Sequence, residues 1–201
     1  VGSNFDDTLY GDANGNQLDG GSGNDTLVGG AGADTLIGGA GTDTASYANA
    51  AAGLTVNLGN TAMNSGEAVG DTYSGIENLI GSGLDDTLYG DGNANVIDGG
   101  AGNDTLIGGL GADSLIGGSG LDTADYSASA AGVTAYLNGT VGVGGDAAGD
   151  VLSGIENIIG SALNDALYGD TNANILSGGV GNDTLIGGLG ADTLNGGTGT
   201  D

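Results

Sequence analysis

Nine residues is the period that governs this chain. Gly20–Val28 reads Gly-Gly-Ser-Gly-Asn-Asp-Thr-Leu-Val, and Gly29–Ile37 follows it without a gap as Gly-Gly-Ala-Gly-Ala-Asp-Thr-Leu-Ile. Both fit one template: Gly, Gly, any residue, Gly, any residue, Asp, any residue, a large apolar residue, any residue. The template returns at Gly99–Ile107, Gly108–Ile116, Gly178–Ile186 and Gly187–Asn195. A turn of six residues followed by a strand of three points to a solenoid, in which each unit completes its core only against its neighbours.

Each place in the template has a physical task. Glycine at places one, two and four opens positive φ to the backbone, and such a turn can aim several carbonyl oxygens at one point. Aspartate at place six adds a carboxylate to them. An all-oxygen ligand set of carbonyls and carboxylates suits a hard cation, Ca²⁺ above all. Places seven to nine, such as Thr26-Leu27-Val28, form a short strand whose central Leu faces inward while its neighbours face out.

Composition excludes much else. The chain of 201 residues has 48 Gly and 26 Asp plus Glu, with no Lys, Arg, His, Cys, Pro or Trp, so its formal charge is −26. An acidic chain so poor in aromatics reads as disordered by composition, but disorder does not call for Leu at every ninth place. Without one basic side chain it cannot neutralise phosphates, which argues against nucleic-acid binding and against anionic membranes. Absence of His and Cys removes the usual zinc ligands and the groups on which most nucleophilic catalysis relies. No apolar run is long enough to span a bilayer, and any staple has to be a metal. Val1 is not an initiator Met and no signal peptide follows it, so the sequence reads as a segment of a longer array.

A second, longer period contains the first. Blocks open at Gly2, Gly81 and Gly160, a spacing of 79 residues (81 − 2 and 160 − 81). The expected organisation is a first block over 1–46, a spacer with strands over 47–80, a second block over 81–125, a spacer over 126–159 and a truncated third block over 160–201. In each block the first two nonapeptides are degenerate. Gly2–Tyr10 keeps Asp7 and Leu9 but carries Phe5 at place four, where a bulky group suits the end of a stack. Gly11–Asp19 has Asp12 at place two and Asn16 at place six. The fifth unit, Gly38–Ser46, keeps Asp43 but has Ala45 in place of Leu. In the spacers, Leu54–Leu58 alternates as a strand does, and the apolar run Ile76–Ile80 leads into the next block. Tyr47, Gly53, Leu58, Asp71 and Glu77 recur as Tyr126, Gly132, Leu137, Asp150 and Glu156. No segment sustains helical periodicity.

In these loops the sequence resembles the RTX, or haemolysin-type, calcium-binding repeat family, across Gly2–Ser46, Gly81–Asp125 and Gly160–Asp201. The resemblance implies an all-β fold, a parallel β-roll or right-handed β-solenoid, in which two nonapeptides make a turn. Loops two units apart then stack on one edge with calcium ions between them, roughly three per block. Ligands carried over in the first block are Asp7; Gly20, Gly21, Gly23 and Asp25; Gly29, Gly30, Gly32 and Asp34; Gly38, Gly39, Gly41 and Asp43. In the second they are Asp86; Gly99, Gly100, Gly102 and Asp104; Gly108, Gly109, Gly111 and Asp113; Gly117, Gly118, Gly120 and Asp122. In the third they are Asp165; Gly178, Gly179, Gly181 and Asp183; Gly187, Gly188, Gly190 and Asp192; Gly196, Gly197, Gly199 and Asp201. Weaker ligation falls to Asp12 and Asn16, Asp91 and Asn95, and Asp170 and Asn174. Asp71, Glu77, Asp150 and Glu156 are candidates for junction ligands, or else solvated carboxylates and turn caps.

One Leu or Ile per nine residues is a thin core for a Gly-rich chain, so the metal is expected to supply what folding lacks. The resemblance further implies a secreted bacterial protein, extracellular or at the cell surface, that meets a type I secretion machinery during export. The segment is expected to be monomeric, without nucleic-acid partners or membrane insertion. Two alternatives stand beside that reading: a structural rod of a calcium-dependent surface adhesin, or an appendage of a secreted hydrolase or toxin. Catalysis in this segment is not expected, because its carboxylates are periodic and its Ser, Thr and Tyr have no His or Lys to activate them.

Overall fold

The computed structural model describes residues 1–201. Strands fall where places seven to nine put them. The first block contributes β1 (Thr8–Tyr10), β2 (Gln17–Ser22), β3 (Thr26–Val28), β4 (Thr35–Ala40) and β5 (Thr44–Ser46), and its spacer β6 (Thr55–Asn57), β7 (Thr72–Ser74) and β8 (Asn78–Ile80). The second block holds β9 (Thr87–Tyr89), β10 (Val96–Ala101), β11 (Thr105–Ile107), β12 (Ser114–Ser119) and β13 (Thr123–Asp125), followed by β14 (Thr134–Tyr136), β15 (Val151–Ser153) and β16 (Asn157–Ile159). The third holds β17 (Ala166–Tyr168), β18 (Ile175–Val180), β19 (Thr184–Ile186) and β20 (Thr193–Thr198). Helical structure is confined to three single 3₁₀ turns, at Thr61–Met63, Gly66–Ala68 and Gly145–Ala147. No helix is long and apolar enough to cross a membrane.

Every strand ladder is parallel, and one isolated antiparallel bridge joins Thr134 and Val143. Successive strands alternate between two ranks, as a roll of two nonapeptides per turn requires. One rank runs β1-β3-β5-β8-β10-β12-β15, and the three-stranded sheet β14-β17-β19 takes it over. The other begins with β2-β4-β7 and continues as β6-β9-β11-β13-β16-β18-β20. Register keeps place eight above place eight: Leu9 over Leu27, Leu18 over Leu36, Leu88 over Leu106. The inward rows meet in one core of 24 buried residues, in which Leu27, Leu36, Leu88, Ile97, Leu106, Leu115, Leu167 and Leu176 are fully enclosed.

Two features depart from the sequence reading. Every second nonapeptide strand is six residues long, not three. In β2, β4, β10, β12, β18 and β20 the pairing runs on through the opening Gly-Gly of the next loop, as in Gly21 beside Gly39. The spacer strands, conversely, are short: Leu54–Leu58 narrows to Thr55–Asn57, and Ile76–Ile80 to Asn78–Ile80. Phe5 lies on the first coil with nothing above it and is 77% exposed.

The spacers also exchange the two ranks. Two of the three spacer strands, β7 and β8, continue the roll, while β6 is inserted and opens a new sheet with β9. Five block strands and two continuing spacer strands make an odd number per repeat. Odd-numbered units of the first block therefore share a sheet, through β8, with even-numbered units of the second. Against the inserted strands lie two of the place-nine tyrosines, both half-buried: Tyr89 pairs with Asn57, and Tyr168 stacks on Tyr136 with ring centroids 4.7 Å apart.

Candidate metal centres

Stacking of loops 18 residues apart brings the place-six residues into ladders along each edge. The Asp7 N–H donates to Asp25 Oδ1 (2.8 Å), and the Asp25 N–H donates to Asp43 Oδ1 (2.8 Å). The same bond links Asn16 to Asp34, Asp86 to Asp104, Asp104 to Asp122, Asn95 to Asp113, Asp165 to Asp183, Asn174 to Asp192 and Asp183 to Asp201. Both edges expected from the sequence are thus assembled. One carboxylate oxygen of each aspartate is thereby fixed to the coil before it.

The second oxygen divides the loops into two kinds. In the Gly-Gly-x-Gly-x-Asp loops it is buried with no hydrogen-bond donor: Oδ2 of Asp25, Asp34, Asp43, Asp104, Asp113, Asp122 and Asp183. All seven are the same atom at the same place of the repeat, and a buried acceptor without a partner is costly, so each calls for a partner. Their surroundings are further acceptors. A methyl group built on Gly20 would collide with Asp25 Oδ2 and lie 2.7 Å from the Gly38 carbonyl oxygen; on Gly99 it would collide with Asp104 Oδ2 and lie 2.7 Å from the Gly117 carbonyl. Places two and four in these loops hold φ where only glycine is at ease, as at Gly100 (97°) and Gly102 (121°). Asp192 and Asp201, in the last coil, have the same loop but stay exposed or nearly so.

In the degenerate loops place two is Ser or Asp with ordinary negative φ, and its N–H reaches back to the place-six side chain. Ser3, Ser82 and Ser161 donate to Oδ2 of Asp7 (2.5 Å), Asp86 (2.5 Å) and Asp165 (2.7 Å). Asp12, Asp91 and Asp170 donate to Oδ1 of Asn16 (2.7 Å), Asn95 (2.9 Å) and Asn174 (2.9 Å). The Ser3 N–H accordingly holds Asp7 below the ordinary carboxylate range. These loops satisfy themselves.

Spacer carboxylates enter the same ladders, which sequence reasoning left open. Asp71 Oδ1 accepts the Asp34 N–H, and Asp150 Oδ1 accepts the Asp113 N–H, both at 2.8 Å. Glu77 Oε2 accepts the Asp43 N–H (2.8 Å) and Glu156 Oε2 the Asp122 N–H (2.9 Å). The recurrence of these residues 79 apart was the available signal; their partners were not readable. A further ladder was missed: place-five side chains link coils on one edge, Asp6 Oδ1 accepting from Asn24 and Asn24 Oδ1 from Thr42. Alternation of Asx at place five with Ala or Gly in the intervening units marks it in the sequence.

Nowhere do three acidic side chains converge as a carboxylate cluster. Any cation held here is therefore held largely by backbone carbonyls, with one or two aspartate oxygens. That donor set is hard, anionic and free of nitrogen and sulfur, which fits Ca²⁺ and does not fit zinc or copper. With no Lys, Arg or His in the chain, no side chain can neutralise the buried carboxylates.

The fold and its loops together define a parallel β-roll whose edges are lined with buried carboxylate oxygens that lack donors. The chain belongs to the RTX calcium-binding nonapeptide repeat family (4 copies), which matches residues 1–27, 10–45, 71–106, 89–124, 145–185 and 168–201. No curated protein matches it. The chain is a calcium-binding repeat region, and its family is structural rather than catalytic.

Burial without a cation raises several carboxyls. Asp104 is pushed up to about 6 and Asp113 to about 7, chiefly by desolvation, against the lowering effect of the Asp86 and Asn95 N–H bonds; neighbouring carboxylates raise both further. A carboxyl raised in the fold stabilises it below its unfolded pKa, near 3.9, and that contribution is lost as pH rises through the folded value. The metal-free chain should therefore gain β structure as pH falls from about 7 toward 4. Far-UV circular dichroism of calcium-stripped protein checks this; β signal that instead grows with rising pH contradicts it.

Proposed function

We propose that this region is the calcium-responsive part of a secreted bacterial protein, unfolded where calcium is scarce and folded into a stiff roll outside the cell. The observation that carries the reading is the set of seven buried carboxylate oxygens without donors, in a chain that has no cationic side chain to answer them. The ligands are the carboxylates and glycine carbonyls of the Gly-Gly-x-Gly-x-Asp loops. Counting one ion per loop gives three per block: Asp25, Asp34 and Asp43; Asp104, Asp113 and Asp122; Asp183, Asp192 and Asp201. Bound calcium supplies the positive charge that lets carboxylates of neighbouring coils lie close together. The chain supplies the geometry, since ladder bonds fix each Oδ1 and positive-φ glycines turn the loop around Oδ2.

An unfolded, disulfide-free chain suits threading through a type I secretion machinery, and folding on exit favours movement outward. The adhesin-rod reading gains from one observation: the sheet β1-β3-β5-β8-β10-β12-β15 runs unbroken through the first spacer, so the first two blocks form one continuous stiff body. Attachment to a secreted hydrolase or toxin is compatible with the same module.

A calcium titration followed by far-UV circular dichroism tests the export reading. The folding midpoint is expected at roughly 10⁻⁴–10⁻³ M, the range of extracellular calcium modules. A midpoint below micromolar would mean that the region folds inside the cell, and would overturn it.

A further inference from the structure

Most buried carboxylates of the ladders end on an oxygen that lacks a donor, but Asp71 and Asp150, at the block junctions, do not. Asp71 is fully buried and makes the usual ladder bond through Oδ1, yet its Oδ2 accepts the Tyr47 hydroxyl at 2.7 Å. Tyr47 is itself 4% exposed, and its oxygen is tied to the Tyr73 hydroxyl (2.6 Å). One repeat later Asp150 Oδ2 accepts the Tyr126 hydroxyl (3.0 Å). On the other side of each junction the ladder changes polarity. The Asn95 side-chain amide donates to the Glu77 carbonyl (2.8 Å), and that of Asn174 donates to the Glu156 carbonyl (3.2 Å). One coil further on, the residue in register with Asn95 is Asp113, whose Oδ2 has no donor.

We propose that the block junctions are calcium-free couplings, in which the Tyr47 and Tyr126 hydroxyls and the Asn95 and Asn174 amides take the place a cation takes in the Gly-Gly-x-Gly-x-Asp loops. Each block then carries its own separate set of ions. The proposal rests on the calcium-loop reading above and adds where the ions stop. A hydroxyl or amide N–H completes an acceptor that otherwise needs a positive charge, and it does so at any calcium concentration. Asparagine at place six is thus a choice of chemistry and not a weakened aspartate. Converting it to aspartate replaces the Nδ2 donor with a second acceptor facing a carbonyl, which is the arrangement of the metal loops.

Calcium ions per molecule, counted by native mass spectrometry of the calcium-loaded chain, tests this. Asn95→Asp should bind one more ion than wild type. Asp71→Asn, which keeps an acceptor for the Asp34 N–H and a donor for the Tyr47 oxygen, should bind the same number. Asp34→Asn, one coil away, should bind one fewer. A folded Asn95→Asp chain with the wild-type count, or loss of an ion in Asp71→Asn, overturns the proposal. Should Asn95→Asp fail to fold, the Asp71→Asn and Asp34→Asn pair decides. A wild-type chain that binds no calcium at all would sink the calcium-loop reading instead, so the two failures are distinguishable.

Discussion

Stripped of calcium with EGTA at neutral pH, the chain is expected to lose its β-roll and expand to a disordered coil. The reason lies in the balance between its thin core and its charge. A nonapeptide encloses at most one Leu or Ile, and the fifth of a block only Ala45 or Ala124; against that stands the ordering of a backbone with 48 Gly in 201 residues, the residue that loses most freedom on folding. Folding also stacks Asp25 on Asp43 and Asp104 on Asp122 in successive coils, with like charges brought together and one oxygen of each left bare. A cation that binds only the folded state reverses this, and its binding free energy becomes folding free energy. Far-UV circular dichroism and hydrodynamic radius in EGTA, then in millimolar CaCl₂, report the change. The radius should fall markedly on adding calcium, since a folded chain occupies far less space than an unfolded one. A β spectrum that persists in chelator contradicts the account.

Gly118→Ala should cripple folding even in saturating calcium, while Gly83→Ala should be nearly silent. Gly118 holds φ at 100°, and a methyl group there would lie 3.0 Å from the Gly100 carbonyl carbon and overlap its oxygen in the coil below. The strained φ costs about 1–3 kcal/mol. Forced overlap with backbone that cannot move without opening the ladder adds about 1–3 kcal/mol more. The calcium midpoint should rise several-fold or folding should fail, since stabilities of this size are ordinarily no more than about 5–15 kcal/mol. Gly83 has ordinary φ, and a methyl group there would meet nothing within 4 Å, so its replacement is the control. Equal midpoints for the two variants would show that glycine in the loops serves composition and not geometry.

Much of this was legible in the sequence because it is local and periodic. Leu27, Leu36, Leu106 and Leu115 stand at place eight and are all fully buried. Asp25, Asp34, Asp104 and Asp113 stand at place six and all present a bare oxygen. What escaped depends on partners distant in the chain. Tyr47 finds Asp71 across 24 residues of non-periodic spacer, and neither residue alone announces the other. The exchange of ranks between blocks follows from a parity, five block strands plus two, that is known only once β6 proves to be inserted and not in line. Ser3, Ser82 and Ser161 stand at place two, where the template has glycine. Their role as N–H donors to Asp7, Asp86 and Asp165 appears only when the loop is closed.

The central claim is that the bare oxygens are cation sites, and diffraction from calcium-grown crystals, collected at a wavelength where calcium scatters anomalously, tests it most directly. Anomalous peaks are expected beside Oδ2 of the seven enclosed carboxylates, Asp25, Asp34, Asp43, Asp104, Asp113, Asp122 and Asp183, and in the Asp192 and Asp201 loops of the last coil, with none beside Asp71 or Asp150, whose second oxygens the tyrosine hydroxyls already fill. Loops that hold only water at those seven carboxylates would contradict the account.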